Sequence, residues 1–372
     1  MVKLVKRNCF TFAFSILMPM ANKKRILVAP LNWGLGHATR CIPIINALIN
    51  HNFEPIIASD GIALELLKKE FPKLTTVELP DYGITYAKKG KWFKLKLLKS
   101  TPKLAKAIKN EKAATKKIIE KFEIDGIISD NRLGVYSKKV PCVFITHQLT
   151  VLSGSTTWIS TKLHQKFINK FNECWVPDNA GIPNLTGKLG HVNAFDIPLK
   201  YLGPISRFQR KDLKSKYKLM ILISGPEPQR TMLEEKLLNE LDGCQEPVLF
   251  VKGLIQKEQI QETKDHLKIY NFMTSNQLET AVNESELVVC RSGYTTIMDL
   301  AKLGKKAFFI PTPGQFEQEY LAELMEKQNL VPFCSQDDFT LDKLQIVKNY
   351  EGLSELSYDV NYKKLFRLFK GK

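Results

Sequence analysis

The chain has 372 residues, 44% of them apolar, and a formal net charge of +17. That length suits about two domains of ordinary size, and the charge implies an anionic partner: nucleic acid, an acidic membrane surface or a phosphorylated substrate. The seven cysteines stand singly without a C-x-x-C pair, which argues against a disulfide frame or a zinc site and for a reducing cytoplasm.

Residues 1–23 read as a leader or as a misplaced start. An apolar run, Cys9–Met20, follows Lys3, Lys6 and Arg7 and is broken by Pro19. It resembles a signal peptide or membrane-interacting leader, unless Met20 is the true first residue. No run is long enough for a transmembrane helix.

From Ile26 the pattern alternates. Strands are expected at Ile26–Ala29, Pro55–Ser59, Leu74–Leu79, Gly126–Ser129, Cys142–Thr146 and Glu173–Val176, with helices at Cys41–Asn50 and Ile62–Phe71. That alternation signals a parallel sheet covered on both faces. Between them, residues 88–121 hold thirteen lysines and two glutamates, interleaved with Trp92, Phe93, Leu97, Leu104, Ile108 and Ile118. Two readings stay open: a solvated helix packing its apolar stripe on the sheet, or a basic amphipathic helix docking on anionic lipid. No nucleic-acid motif is present, so nucleic acid is not expected as a partner.

A basic connector, Pro204–Lys216, marks the domain boundary. A second α/β unit follows, with strands at Leu219–Ser224, Pro247–Val251, Lys268–Asn271, Leu287–Cys290 and Ala307–Ile310. Its helices are Thr231–Leu241, Leu278–Asn283, one opened by Arg291–Gly304, and Gln315–Gln328. The tail, Leu356–Phe369, reads as a basic amphipathic helix.

Three constellations carry chemistry. The first is the loop after the first strand, PLNWGLGHAT, where His37 sits between Gly34-x-Gly36 and a helix start. A dinucleotide fingerprint fits poorly, because Thr39 stands where its third glycine belongs. A histidine at a helix N-terminus on the ligand-binding edge of a sheet is instead a candidate general base. Asp130, His147 and Gln148 end two strands at that same edge. The second is Val288–Asp299: a buried strand delivers Ser292-Gly293 to a helix with Thr295 and Thr296 in its first turn, which suits a phosphate. The plain alternative is a ligand-free helix capped by Ser292. Asp299, about two turns on, would reach ribose hydroxyls, and Ser224-Gly225 offers a second phosphate-sized turn. The third is PTPGQFEQEY, Pro311–Tyr320, where Gln318 and Glu319 suit sugar hydroxyls.

In this order the motifs resemble the GT-B glycosyltransferases of family 28, in particular the peptidoglycan N-acetylglucosaminyltransferases. The resemblance rests on Gly34-Leu35-Gly36-His37, on VVCRSG with Thr296 and Asp299, and on Pro311 followed by Gln318-Glu319-Tyr320. It implies an α/β chain with the GT-B fold: two doubly wound, Rossmann-like domains facing a cleft. Residues 24–203 would form the acceptor-side domain and 204–345 the nucleotide-sugar domain, with a tail helix at 346–372 packing on the first. It implies a UDP-sugar donor, with Phe272-Met273 at the uracil and Ser224, Gly225, Arg291, Ser292, Gly293, Thr295, Thr296, Asp299, Gln318 and Glu319 around the rest. The acceptor side would comprise Asn32, Gly34, Gly36, Asp130, His147 and Gln148. The expected activity is inverting, metal-independent transfer of an N-acetylhexosamine or hexose to a hydroxyl of a glycan or glycolipid acceptor. No cofactor is expected, and the expected place is the cytoplasm, at the inner membrane face.

The chain departs from that pattern. Ser224-Gly225-Pro226-Glu227 replaces a glycine-rich loop; Pro226 removes one N–H donor and Glu227 would repel a diphosphate. Asp299 stands for a glutamate and Glu319 for a glutamine, and the loop before His37 is short. GLGHATRC also resembles the start of a nucleotide-sugar hydrolase of the same fold, where His37 would activate water. Hydrolysis and non-catalytic nucleotide-sugar binding are therefore the alternatives.

Overall fold

Ile26–Ala29 is apolar without a break and fully buried, so the strand that contains it must be covered on both faces. The computed structural model describes residues 23–82, 93–254, 256–353 and 360–371, and of 93–102 the backbone only. The leader segment through residue 22, Trp92, and the side chains of Phe93 and Leu97 lie outside the described residues.

Seven strands form the first sheet: β1 (Arg25–Pro30), β2 (Glu54–Ser59), β3 (Thr76–Glu78), β4 (Gly126–Asp130), β5 (Cys142–Ile145), β6 (Glu173–Val176) and β7 (Leu199–Tyr201), in the order β3-β2-β1-β4-β5-β6-β7. Every pairing is parallel. Helices α1 (Gly36–Asn50), α2 (Gly61–Glu70), α3 (Phe93–Phe122) and α4 (Thr157–Ile168) make the crossovers. The second sheet comprises β8 (Tyr217–Leu222), β9 (Val248–Val251), β10 (Gln261–Lys264), β11 (Leu267–Tyr270), β12 (Ser285–Cys290) and β13 (Lys306–Phe309), in the order β10-β11-β9-β8-β12-β13. Only β10, on the edge, runs antiparallel to its neighbour. Helices α5 (Gln229–Glu240), α6 (Ser275–Asn283), α7 (Tyr294–Leu303) and α8 (Phe316–Lys327) cover it. Gly304, at φ +61°, ends α7 in the left-handed conformation that glycine adopts freely.

Register places the site. Pro30 pairs with Asp130, and Asp130 with Ile145. The chain therefore leaves β1, β4 and β5 at one level, and His37, Asp130 and His147 gather there. In the second sheet Cys290 pairs with both Leu222 and Phe309. The turns after β8, β12 and β13, which carry Ser224, Ser292 and Pro311, share an edge in the same way.

Several elements differ from the sequence reading. Helix α1 begins at Gly36, so His37 is its second residue and not a residue before it. Strand β7, helix α4 and strand β10 were not expected. From residue 103 onward α3 turns Ala107, Glu111, Thr115 and Ile118 inward and lysines outward; that part of the 88–121 stretch is a solvated helix packed on the sheet. Of the expected tail helix, Leu356–Asp359 lie outside the described residues; the described part forms two short turns, α9 (Tyr362–Leu365) and α10 (Arg367–Lys370). Phe366 and Phe369 are buried among Ile26, Phe53 and Trp175 of the first domain, and Lys24 Nζ donates to the Phe369 carbonyl at 3.0 Å.

Candidate active site

A histidine in the first turn of a helix is held by whatever stands beneath it. Under His37 stands Asp130, fully buried at the end of β4, with its Oδ1 2.8 Å from His37 Nδ1. One turn along α1, Arg40 reaches the same carboxylate with Nε (2.5 Å to Oδ2) and with Nη2 to Oδ1. Arg40 Nη2 also lies 2.8 Å from His37 Nδ1. In one tautomer that nitrogen donates to Asp130, and in the other it accepts from Arg40. Burial would raise the Asp130 pKa, but Arg40 and His37 outweigh it and hold the carboxyl well below the usual range. Burial lowers the His37 pKa, and Arg40 and His147 add to that against the pull of Asp130. The result is a neutral imidazole beside a fixed anion, with only 13% of the His37 side chain exposed.

The network continues into the other domain. Arg40 Nη1 lies 2.9 Å from His147 Nδ1, and His147 Nε2 lies 2.7 Å from Glu317 Oε1 at the start of α8. Gln148 Nε2 donates to the other oxygen of Glu317. Burial opposes the charge on Glu317, yet His147, His37 and Arg40 keep its pKa below the ordinary value. The His147 ring stacks on Tyr294 of α7 at 4.4 Å between centroids, and the Tyr294 hydroxyl donates to the Pro177 carbonyl at 2.6 Å. Thr295 Oγ1 donates to the Gly36 carbonyl at 3.2 Å. A Cβ on Gly36 would meet that hydroxyl at 2.8 Å, so only glycine permits this approach.

On the far side of the cleft, α7 starts without a side-chain cap; its N-cap is Gly293. Ser292, the cap in the plain alternative to a phosphate site, instead donates to the Gln318 carbonyl at 2.7 Å. Among the described residues no side-chain cap bonds the start of α7, and Thr295 and Thr296 stand in its first turn. This is the usual make-up of an anion site at a helix N-terminus.

Comparison with known proteins agrees with this layout. Residues 230–351 match the glycosyltransferase family 28 C-terminal domain. That match covers about a third of the chain, and the chain as a whole has the GT-B fold. Its likeness to solved structures includes a spinosyn forosaminyltransferase, SpnP, at a TM-score of 0.60 and 15% identity, covering 94% of this chain and 100% of that one. It also includes the Acinetobacter baumannii MurG, at 0.56 and 12%, covering 94% and 99%. Among relatives in sequence, a UDP-N-acetylglucosamine–N-acetylmuramyl-(pentapeptide) pyrophosphoryl-undecaprenol N-acetylglucosamine transferase of Buchnera aphidicola is 26% identical over 243 residues. That match takes in 63% of this chain and 64% of the relative. An uncharacterized glycosyltransferase of Methanosarcina acetivorans is 24% identical over 82% of this chain and 84% of its own length.

In the second domain the expected residues divide. The turns carrying Ser224-Gly225, Ser292 and Gln318 do meet: Gln318 Oε1 accepts from Thr312 N at 2.8 Å, and Gly225 faces Thr312. Glu319 closes the same turn by accepting from Gly314 N at 2.9 Å. Arg291 does not face the cleft. It is 1% exposed, and it donates to the carbonyls of Ile310, Pro311 and Gln229 and to Gln336 Oε1; it braces the loops and is not available to a phosphate. Asp299 turns to the interdomain connector, accepting from Ser206 Oγ at 2.6 Å, and burial pushes its pKa up to about 6. Glu227, expected to repel a diphosphate, is tied to Arg230 and Thr231. Phe272 is buried under Lys69 Nζ of the first domain, 4.6 Å from its ring centroid, and Met273 packs on the core beside it.

On the acceptor side, Gly34 (φ +75°) has open space around it. Asn32 donates to Asp60 at 2.9 Å and accepts from Ala63 N. It lines a hollow of about 190 Å³ with Leu31, Asp60, Asp81 and Tyr82. Two site residues escaped the sequence reading. Arg40 lies one helical turn from His37, a spacing that puts both on one face. Glu317 directly precedes the Gln318-Glu319 pair.

Proposed function

We propose that the protein is an inverting, metal-independent glycosyltransferase that moves an N-acetylhexosamine or hexose from a UDP-sugar to a hydroxyl of a glycan or glycolipid. The observation that carries this reading is the contact between Gly36 and Thr295. It sets the loop of a buried, neutral histidine against the uncapped start of α7. In this reading α7, with Thr295 and Thr296, takes the charge that develops on the leaving diphosphate. His37, with its Nδ1–H on Asp130, takes the acceptor proton at Nε2 as the hydroxyl attacks the anomeric carbon from the opposite face. A single displacement of that kind inverts the anomeric centre. Gln318 and the turn after β13 would face the sugar, and the hollow beside Asn32 the acceptor. The UDP-N-acetylglucosamine in the names of several relatives supports the choice of donor.

The reading also places the chain in the cytoplasm, against an anionic membrane face. The support for this lies on α4, where Trp158, Ile159 and Leu163 are 67%, 60% and 49% exposed and Lys162 lies over the Trp158 ring at 4.3 Å. An apolar rim beside lysines suits a headgroup layer.

Hydrolysis is the second reading, and one observation favours it. Arg40 and Cys41 of GLGHATRC both contact Asp130, so the whole motif is engaged around a base that would serve water equally well. Purified protein incubated with a panel of UDP-sugars decides between them. UDP release that requires a lipid or glycan extract means transfer, release with water alone means hydrolysis, and UDP binding without release means neither.

A further inference from the structure

Arginine carries only donors, and an ionised carboxylate only acceptors. His147 lies between one of each: Arg40 Nη1 at Nδ1 and Glu317 Oε1 at Nε2. A neutral ring then has one satisfactory state, with the Nδ1 lone pair on Arg40 and the Nε2 proton on Glu317. That state leaves the other edge of Arg40 for Asp130, and Asp130 faces His37 Nδ1. Arg40, Asp130 and His147 are buried and the His37 side chain is 13% exposed, whereas Glu317 enters from the second domain, 170 residues from His147 in sequence. No segment of the first domain replaces it among the described contacts.

We propose that Glu317 is a positioning residue: reaching across the cleft from α8, it fixes His147, and through Arg40 and Asp130 it sets the orientation of His37, so that the base is assembled only while the two domains meet. The inference rests on the glycosyltransferase or hydrolase reading for its kinetic consequence, but not for its structural one. When the cleft opens to exchange nucleotide, His147 loses its acceptor, Arg40 loses a fixed partner, and His37 is no longer held in one orientation. Closure and base alignment become one event. Water entering an open cleft would meet a misaligned base, which protects the donor from idle hydrolysis. The groups that face this pair are Arg40 of α1, Asp130 of β4, His164 of α4, Tyr294 of α7 and Glu317 itself.

Two measurements test it. Nitrogen NMR of histidine-labelled protein, with His147 assigned through His147→Asn, reads the tautomer without any turnover. Wild type should show His147 as the Nε2–H form, Glu317→Gln should keep it because an amide oxygen still accepts, and Glu317→Ala should lose it. Kinetics on the same variants should show kcat lower by about 10²-fold in Glu317→Ala, with the acid limb of its pH profile displaced downward. The Kd for UDP should stay within about threefold, and Glu317→Gln should recover most of the rate. An unchanged His147 signal in Glu317→Ala overturns the inference. So does a loss of UDP affinity with kcat intact, which would make Glu317 a donor contact. If wild type turns over no UDP-sugar, the proposed activity fails, while the NMR comparison still judges the positioning role.

Discussion

His37 and Asp130 are 93 residues apart in sequence and 2.8 Å apart in space, brought together because β1 and β4 are neighbours that end at one level. The carboxylate is shared with Arg40 and has no exposed surface. Replacing it by the isosteric amide leaves Arg40 buried against a neutral partner. Breaking a buried pair on one side costs about 3–5 kcal/mol. Asp130→Asn should lose stability of that order in urea unfolding, together with most of its activity. A variant as stable as wild type would contradict the buried pairing.

The lowered pKa of His37 has a direct consequence for rate. A base works in its neutral form, and a pKa below the ordinary histidine value keeps it neutral into mildly acidic solution. The acid limb of kcat/KM should therefore fall below the usual histidine range of about 6–7. Stability runs the same way. His37 and Asp130 both have folded-state pKa values below their unfolded ones, so each contributes stability that is present above the unfolded pKa and lost as pH falls. An acid limb near or above neutrality would contradict the buried, neutral histidine.

Gly36 and Thr295 touch across the cleft. In Gly36→Ala the new methyl meets Thr295 Oγ1 at 2.8 Å, and overpacking of this kind costs about 1–3 kcal/mol. Where that cost falls on the meeting of the two elements, the variant should lose roughly tenfold or more in kcat/KM, since about 1.4 kcal/mol is tenfold. Adding Thr295→Ala removes the obstacle, so the double variant should lose less than the two single losses combined. Additive losses would mean that the two elements do not meet during turnover.

The tail anchors the first domain. Phe366 and Phe369 are 0% and 1% exposed, and Gly126 of β4 leaves room for the Phe369 ring. Phe369→Ala should cost about 3–5 kcal/mol by the cavity it leaves, read as a lower unfolding midpoint. A change below 1 kcal/mol, on the order of an ordinary surface substitution, would mean that the tail is dispensable.

Binding to anionic vesicles should depend on α4. Flotation with phosphatidylglycerol vesicles at low salt should recover the protein, less so as salt screens the lysines. Trp158→Asp with Leu163→Asp should abolish recovery. Recovery equal to wild type would remove α4 from the membrane proposal.

The two sheets were legible because their central strands are unbroken apolar runs that nothing but a covered parallel sheet can hold. The edges were not. Gln261–Lys264 is exposed at every position, and α4 buries only Ile168, so neither shows a periodic stripe. His37 could be chosen because it stands between a glycine loop and a helix start, and Asp130 because it ends an apolar run. Arg291 was misassigned because a motif gives its position and not the side to which its guanidinium turns. Here four carbonyl-type acceptors inside the domain claim it. Glu317 went unread because its partner lies in the other domain, and no local pattern encodes a contact between domains.

The central claim is that His37 is the base for attack on a UDP-sugar, and His37→Ala tests it most directly. With donor saturating and the acceptor or water that wild type uses, UDP release by the variant should fall by about 10²–10⁴-fold while UDP binding is kept. A rate within about threefold of wild type would contradict the account.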